Sequence, residues 1–390
     1  MYPHQAERLT AALERDGLHA LVAASPANVA YVTGFWSLAR AVEPSTEVYA
    51  VVAPGGTALV VPTSEALAVT EGDVQADHVV CHGRFHYTDP DKTRDSVRRL
   101  RKVTGVSTPH AADALAAALA AVGVRAGRVG LDDASLPAAR VDALGQRLTG
   151  CTLVPATDAL STARLVKSPY EIECLQQALH VTEQSIDRVL DLLRPGVTEH
   201  EAATAFTHEA TQRGAIPYRT IIAFGDRAAV PTPWPSDRAL RLGELVRFDV
   251  GCVAKGYRSN VARMAVMGEP SERQQAVFDT LHGGLEAALE ALRPGADGGQ
   301  VFDTAVAAIR KGGLSHYERH HMGHAIGLEP TESPWLAPGG AALEMGMVLC
   351  AETPYYVVDE AGFTLTETAL VTRSGAHVLN RSHRGLIVLD

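Results

Sequence analysis

The sequence predicts two domains: an α/β domain over residues 1–158 and an α+β domain over 159–390 built from two similar halves. Three observations point there. The chain has 390 residues, enough for two cores. Helix-like and strand-like segments alternate to about residue 155, whereas beyond it a pair of helices precedes a run of strands, and does so twice. Between the two patterns lies a strong helix start, "KSPYEIECLQQA".

In chain order, "QAERLTAALERDG" reads as an amphipathic helix closed by Gly17. "HALVAA", "VYAVVA" and "TALVVP" are short apolar strands, with "PGG" turning between the last two. "AADALAAALAAVGVRAGRVGLDD" is an Ala-rich helix followed by a buried strand; helix propensity explains the alanines. Ser168-Pro169 with Glu171 opens a long helix, with proline early and an acid in the first turn. It runs to about Leu193 and stops at Arg194-Pro195-Gly196. In "TEHEAATAFTHEATQRG", Thr198 fits the N-cap, Glu201 the capping-box position and Gly214 the C-terminus. Strand-like "YRTIIAFG", "LVRFDVG" and "VARMAVMG" follow, then a helix pair at about 271–292 and 299–312 broken by "RPGADGG". The rest is mostly strands: "MVLCAETPYYV", "FTLTETALVT" and "GLIVL". The two halves share too little sequence to establish a repeat.

Composition narrows the function classes. The net charge of -10 argues against broad nucleic-acid binding, which needs a basic face. No run of 18 apolar residues predicts a transmembrane helix, and the start "MYPHQAERLTAALERDG" is polar and helical, unlike a signal peptide. Cys81, Cys151, Cys174, Cys252 and Cys350 are scattered, odd in number and without CxxC spacing, which suits a reduced cytoplasmic protein.

Candidate chemistry begins with Asp249, an acid inside the apolar run "LGELVRFDVG". A buried carboxylate is costly unless paired or bound to metal. Eleven residues on, where a second acid would make a metal pair, stands Asn260. "HHMGHAIGLEPTESP" brings His320, His321 and His324 among glycines that favour a turn over a helix. Histidine serves as metal ligand or acid/base, against the plainer reading of surface or hydrogen-bonded side chains. Glu352 and Glu367 each interrupt a β-rich run, as solvent-facing strand acids also do. Asp, His, Glu and Glu together form a hard-oxygen set with one imidazole, suited to Mn, Fe, Co or Zn.

In their order and spacing these motifs resemble the creatinase/prolidase/methionine-aminopeptidase superfamily, the M24 family with its "pita-bread" fold. The resemblance covers essentially the whole chain. "SPANVAYVTGF" is similar to a stretch of the family's creatinase-like N-terminal domain. "KSPYEIECLQQA", "RPGVTEHEA", "LGELVRFDVGCVAKGYRSNVAR", "HHMGHAIGLEPTESP", "EMGMVLCAETPYY" and "TLTETALVT" are similar to its catalytic domain, which has pseudo-twofold halves.

The resemblance implies five ligands for two divalent metals, at Asp249, Asn260, His324, Glu352 and Glu367. Position 260 is normally Asp, within Ser-Asp-x-Thr-Arg; here the stretch reads Ser-Asn-Val-Ala-Arg. Two auxiliary histidines of the peptidase branch are Thr232 and Thr331 here, and an arginine near the substrate's proline or carboxylate is Leu365. His320, Tyr257 and Arg263 match family positions. A neutral Asn offers one carbonyl oxygen and no charge. The implied cofactor is therefore one divalent ion held by His324, Glu352 and Glu367 beside Asn260 or Asp249, with a metal-free site as the alternative.

The implied function is a divergent, Xaa-Pro-peptidase-like, metal-dependent hydrolase of a small amide or C–N bond. Glu352 would be ligand and general base, with His324 and His320 at the reacting groups. Tyr257, Thr232, Thr331 and Leu365 would line the substrate. The alternatives are a non-peptidase enzyme on the same fold, such as a metal-free creatinase-like hydrolase, a lyase or a biosynthetic enzyme, and a retired scaffold that binds partners. The implied partners are a small molecule or short peptide and a second copy of the chain, with no nucleic acid and no membrane.

Overall fold

The computed structural model describes residues 3–88 and 94–390. They divide into two units, one ending at Arg164 and the other starting at Leu165. The first extends past residue 158 because the helix Thr157–Arg164 is tied to it: Tyr31 Oη donates to the Ala163 carbonyl at 2.8 Å and Arg164 Nη1 to Asn28 Oδ1 at 2.7 Å.

Seven strands of the first unit form one sheet: β1 (Ala20–Ala23), β2 (Tyr49–Ala53), β3 (Gly56–Pro62), β4 (His78–His82), β5 (Ser107–Thr108), β6 (Gly127–Leu131) and β7 (Cys151–Pro155). Their order is β5-β4-β3-β2-β1-β6-β7, and β2 is antiparallel to both neighbours. The Ala-rich run forms the helix Ala111–Ala121, which buries Ala114, Leu115, Ala118 and Leu119 at i, i+1, i+4 and i+5. The stretch "SPANVAYVTGF" becomes the helix Pro26–Thr33, capped by Ser25 and ended by Gly34 at φ 75°. Asp132 holds its start, accepting from the Ala24 and Ser25 amides and from Asn28 Nδ2 at 3.1, 2.8 and 2.7 Å. These contacts build the domain.

In the second unit the two-half organisation is physical. Four helices, Pro169–Leu190, Glu199–Gln212, Glu272–Ala291 and Gly298–Gly312, each begin with a capping box: Ser168/Glu171, Thr198/Glu201, Ser271/Gln274 and Asp297/Gln300. The repeated Arg-Pro-Gly turns are held alike. Gly196 N donates to Leu240 O at 2.9 Å and Leu240 N to Val197 O at 2.8 Å. Gly295 N donates to Leu343 O at 3.0 Å and Leu343 N to Ala296 O at 2.7 Å.

One ten-stranded sheet carries the site. Its strands are β8 (Ile216–Phe224), β9 (Leu245–Ala254), β10 (Tyr257–Arg258), β11 (Val261–Met267), β12 (Gly323–Ala325), β13 (Glu332–Trp335), β14 (Val348–Glu352), β17 (Thr366–Thr372), β18 (Gly375–Val378) and β19 (Ile387–Leu389). A separate ribbon pairs β15 (Tyr355–Val357) with β16 (Ala361–Phe363). The main path runs β10-β9-β11-β17-β14-β12-β13, with β8 on β9, β18 on β17 and β19 on β11. No helix among the described residues is long and apolar enough to cross a membrane.

Candidate active site

Strand register decides which side chains meet. Directly paired residues share a face, and a one-residue step changes face. Ile221 pairs Asp249, Asp249 pairs Ala262, Ala262 pairs Thr366, and Thr366 pairs Glu352. His324 pairs Cys350, two residues before Glu352. Arg219 and Arg247, each two residues from a member of this row, share the same face.

On that face Asp249 is bracketed by guanidinium groups. Arg219 Nη1 lies 3.1 Å from Asp249 Oδ1, and Arg247 Nη1 lies 3.6 Å from Oδ2. Arg219 Nη1 also donates to Asn260 Oδ1 at 3.3 Å. Arg247 is fully buried; its Nη2 donates to the Val230 and Pro231 carbonyls at 2.6 and 3.2 Å, and it lies over the Tyr356 ring.

Further along, Glu352 Oε1 lies 3.3 Å from His321 Nδ1. Burial pushes the Glu352 carboxyl up, against the pull of His324, Arg319 and Arg219; Asp249 adds to the rise. Burial pushes His321 down to about 4, with nearby His320, Arg319 and His324 acting in the same direction. His321 is therefore neutral near pH 7, and its Nδ1 accepts from the Gly323 amide at 3.3 Å. His324 is buried, and its Nδ1 lies 2.9 Å from the Ala325 carbonyl. A carbonyl only accepts, so this nitrogen carries a proton, and in the neutral ring Nε2 is the acceptor.

The other expected residues separate. Glu367 pairs Ala351 and so leaves the sheet on the face opposite Glu352. There it is wholly buried, with Oε1 2.9 Å from Arg263 Nη2, and burial pushes its carboxyl up to about 7 against the pull of Arg263. The expectation of Glu367 as a metal ligand beside Glu352 is corrected: Thr366 occupies the facing position. Tyr257 does not line this face either. Its hydroxyl donates to Glu171 Oε1 at 3.0 Å, at the start of helix Pro169–Leu190. Leu365 lies in the apolar core, while Thr232 and Thr331 are exposed. His320 is exposed, with its ring edge-on to His321 at 4.5 Å.

Arg219 and Arg247 are the site residues that sequence reasoning passed over, while His321 stood among the candidate histidines without a role of its own. The two arginines carried the signal Asp249 did, a charge inside the β-rich runs "YRTIIAFG" and "LVRFDVG".

Does this donor set suit divalent metal? Asp249 has a guanidinium against each oxygen, and Asn260 is neutral and shares Arg219. Glu367 faces away. Glu352 and His324 Nε2 remain, two donors where a catalytic metal usually keeps three protein ligands. Among the described residues, no group of three His, Cys, Asp or Glu is placed to hold an ion. The residues present do not fit a two-ion centre.

Comparison with known proteins places this geometry in context. The model for metallopeptidase family M24 matches residues 173–373, and that for the creatinase/prolidase N-terminal domain matches residues 5–166. An uncharacterised peptidase of Bacillus subtilis is 25% identical over 386 residues, spanning 98% of this chain and 99% of its own. A Xaa-Pro dipeptidase of Pyrococcus furiosus is 29% identical over 233 residues, spanning 59% of this chain and 67% of its own. The crystal structure of dipeptidase PepE from Mycobacterium ulcerans superposes with a TM-score of 0.79 at 26% identity, covering 99% of this chain and 97% of that one.

Proposed function

The chain belongs to metallopeptidase family M24, and from that premise we propose a divergent hydrolase that cleaves a small amide or C–N bond without a two-ion centre. The family is named for metallopeptidases, but the side chains here do not fit a pair of ions. The observation that carries the reading is one face holding Glu352 against neutral His321, with His324 beside them and the Arg219–Asp249–Arg247 cluster across the sheet.

In this reading Glu352 takes a proton from water as the water oxygen attacks the carbonyl or amidine carbon. Arg219 offers N–H donors to the negative charge that develops there, where preorganised donors stabilise a transition state more than a ground state. The proton taken up by Glu352 then passes to the leaving nitrogen, directly or relayed through His321 Nδ1, which stands 3.3 Å from it. The substrate is a short peptide or a small molecule with a C–N bond. A cytoplasmic homodimer completes the proposal; five unpaired thiols support the compartment, and sedimentation velocity tests the dimer.

The test is amine release from a panel of Xaa-Pro dipeptides, other short peptides and small amides or amidines, comparing wild type with Glu352→Gln. General acid–base help is worth about 10²–10⁴-fold, so the variant loses that much on any true substrate. Equal turnover by both proteins would remove Glu352 from the chemistry. If both are inert on the whole panel, the hydrolase reading fails.

A further inference from the structure

We infer that Arg219 is the resident cation of this site, its guanidinium holding the place between Asp249 and Asn260 that a divalent ion would need. One nitrogen, Nη1, meets both residues, at 3.1 Å from Asp249 Oδ1 and 3.3 Å from Asn260 Oδ1. The second oxygen of Asp249 faces Arg247 at 3.6 Å. The acids of this face already have cations near them: Asp249 faces Arg219 and Arg247, and Glu352 feels the charges of Arg319 and Arg219. A divalent cation added here would meet two fixed positive charges and one carboxylate, Glu352, that no arginine pairs with. Asn260 belongs to the same arrangement, since its neutral carbonyl oxygen accepts from Arg219 and asks for no further positive charge.

The backbone holds Arg219 in this position. The β8–β9 register shifts between Pro217 and Arg219, an irregularity of the kind that re-aims a side chain at a functional site. Tyr218, within the shift, donates from its hydroxyl to the Ser259 carbonyl at 2.8 Å. It lies against Gly251, where an added Cβ would stand 2.8 Å from the Tyr218 ring and 2.3 Å from the Ser259 carbonyl oxygen. Arg219 is the residue paired with Gly251, so the clamp on Tyr218 sets where the guanidinium goes. Burial disfavours the charged form of Arg219, yet Asp249 and its other neighbours hold the guanidinium above its ordinary value.

The inference concerns the ion and not the reaction, so its test reads metal. Purified full-length protein is incubated with Mn²⁺, Co²⁺ or Zn²⁺, desalted, and assayed for bound metal by mass spectrometry and for the shift in Tm. Wild type should retain no stoichiometric ion and show no metal-dependent shift. Asn260→Asp alone should behave likewise, because the guanidinium still lies on Asp249. Arg219→Ala combined with Asn260→Asp should retain about one equivalent and gain a metal-dependent Tm increase. Wild type retaining one or more equivalents would overturn the inference, and this arm holds even if the double variant does not fold. A folded double variant that binds nothing would also overturn it, since too few donors would then be the cause. The peptide and amide panel reads a separate quantity, so either idea can fail without the other.

Discussion

Thr366 lies directly opposite Glu352 across β14 and β17, and this pairing sends the neighbouring Glu367 through the sheet to Arg263. Side chains alternate strictly along a strand, so Glu352 and Glu367 cannot both line one face while this register holds. Arg263 Nη1 donates to the Thr366 and Ala262 carbonyls at 2.9 Å each, and Nε to Ser382 Oγ at 3.0 Å. Glu367 is thus the buried partner of a structural arginine.

Glu367→Gln should therefore cost stability and spare chemistry. Breaking a buried pair costs about 3–5 kcal/mol when the remaining charge is left alone. Here Glu183 Oε1 stays 3.8 Å from Arg263 Nη2, and the Glu367 carboxyl, pushed up to about 7, is only part-ionised at neutral pH, so the loss should be smaller than that. Urea unfolding should show this loss, while turnover per folded molecule stays at the wild-type level. Glu352→Gln should give the reverse pattern. Lost turnover with unchanged stability in Glu367→Gln would return that residue to the site.

Tyr257 invites the same separation. Its hydroxyl donates to Glu171, whose other oxygen accepts from the Ser168 amide at 2.9 Å and caps the long helix. A hydrogen bond to a charged group is worth about 1.5–3 kcal/mol, so Tyr257→Phe should lower stability by an amount in that range. Substrate KM should not move. A raised KM in a variant of wild-type stability would place Tyr257 at the substrate after all.

Much of the fold was legible because its signals are local. The capping residues at Ser168/Glu171 and Thr198/Glu201 mark helix starts within four residues, and the structure keeps both. The pairs Ser271/Gln274 and Asp297/Gln300 use the same chemistry with Gln in place of Glu, so they were readable by the same rule. The twofold relation shows in the two Arg-Pro-Gly turns more than in overall identity. The site was less legible because a strand's face depends on a partner far along the chain. In "TLTETALVT" threonines flank Glu367 on both sides, and no apolar alternation there says which residue faces inward. Asp249 stood out as a charge in an apolar run. Arg247 sits two residues earlier in that run and carried equal weight, but only the structure shows the two facing each other.

The cysteines give a prediction from burial. Cys81, Cys174, Cys252 and Cys350 are buried, and Cys151 is half-buried. Burial pushes Cys81 and Cys252 up to about 11. The thiolate is the reactive form, so at pH 8 native protein should release roughly one equivalent of chromophore from an aromatic disulfide reagent, and all five in urea. Mass mapping should find the label on Cys151. Prompt labelling of Cys252 would mean that β9 opens far more readily than its buried position in the sheet suggests.

Arg247 offers the last test, because its guanidinium links the sheet to the loop after β8. Nη2 donates to two successive carbonyls, Val230 and Pro231, while Nη1 faces Asp249. The loop is held at a second point by Glu199, a fully buried acid that accepts from the Ser236 amide at 3.1 Å and from Ser236 Oγ at 2.6 Å. Arg247→Leu keeps the apolar packing of a β-strand but leaves both carbonyls without this donor and removes one of the two positive charges facing Asp249. Val230 and Pro231 are exposed, so water can take up part of the lost donor, and stability should fall by about 0.5–1.5 kcal/mol for each hydrogen bond removed. Hydrogen exchange should accelerate across residues 228–236 while the Glu199 anchor keeps its protection. Arg247→Lys should rescue little, since one ammonium cannot reproduce a planar fork that meets two carbonyls and a carboxylate at once. Full rescue by lysine would show that charge alone, and not the geometry of the fork, holds the loop.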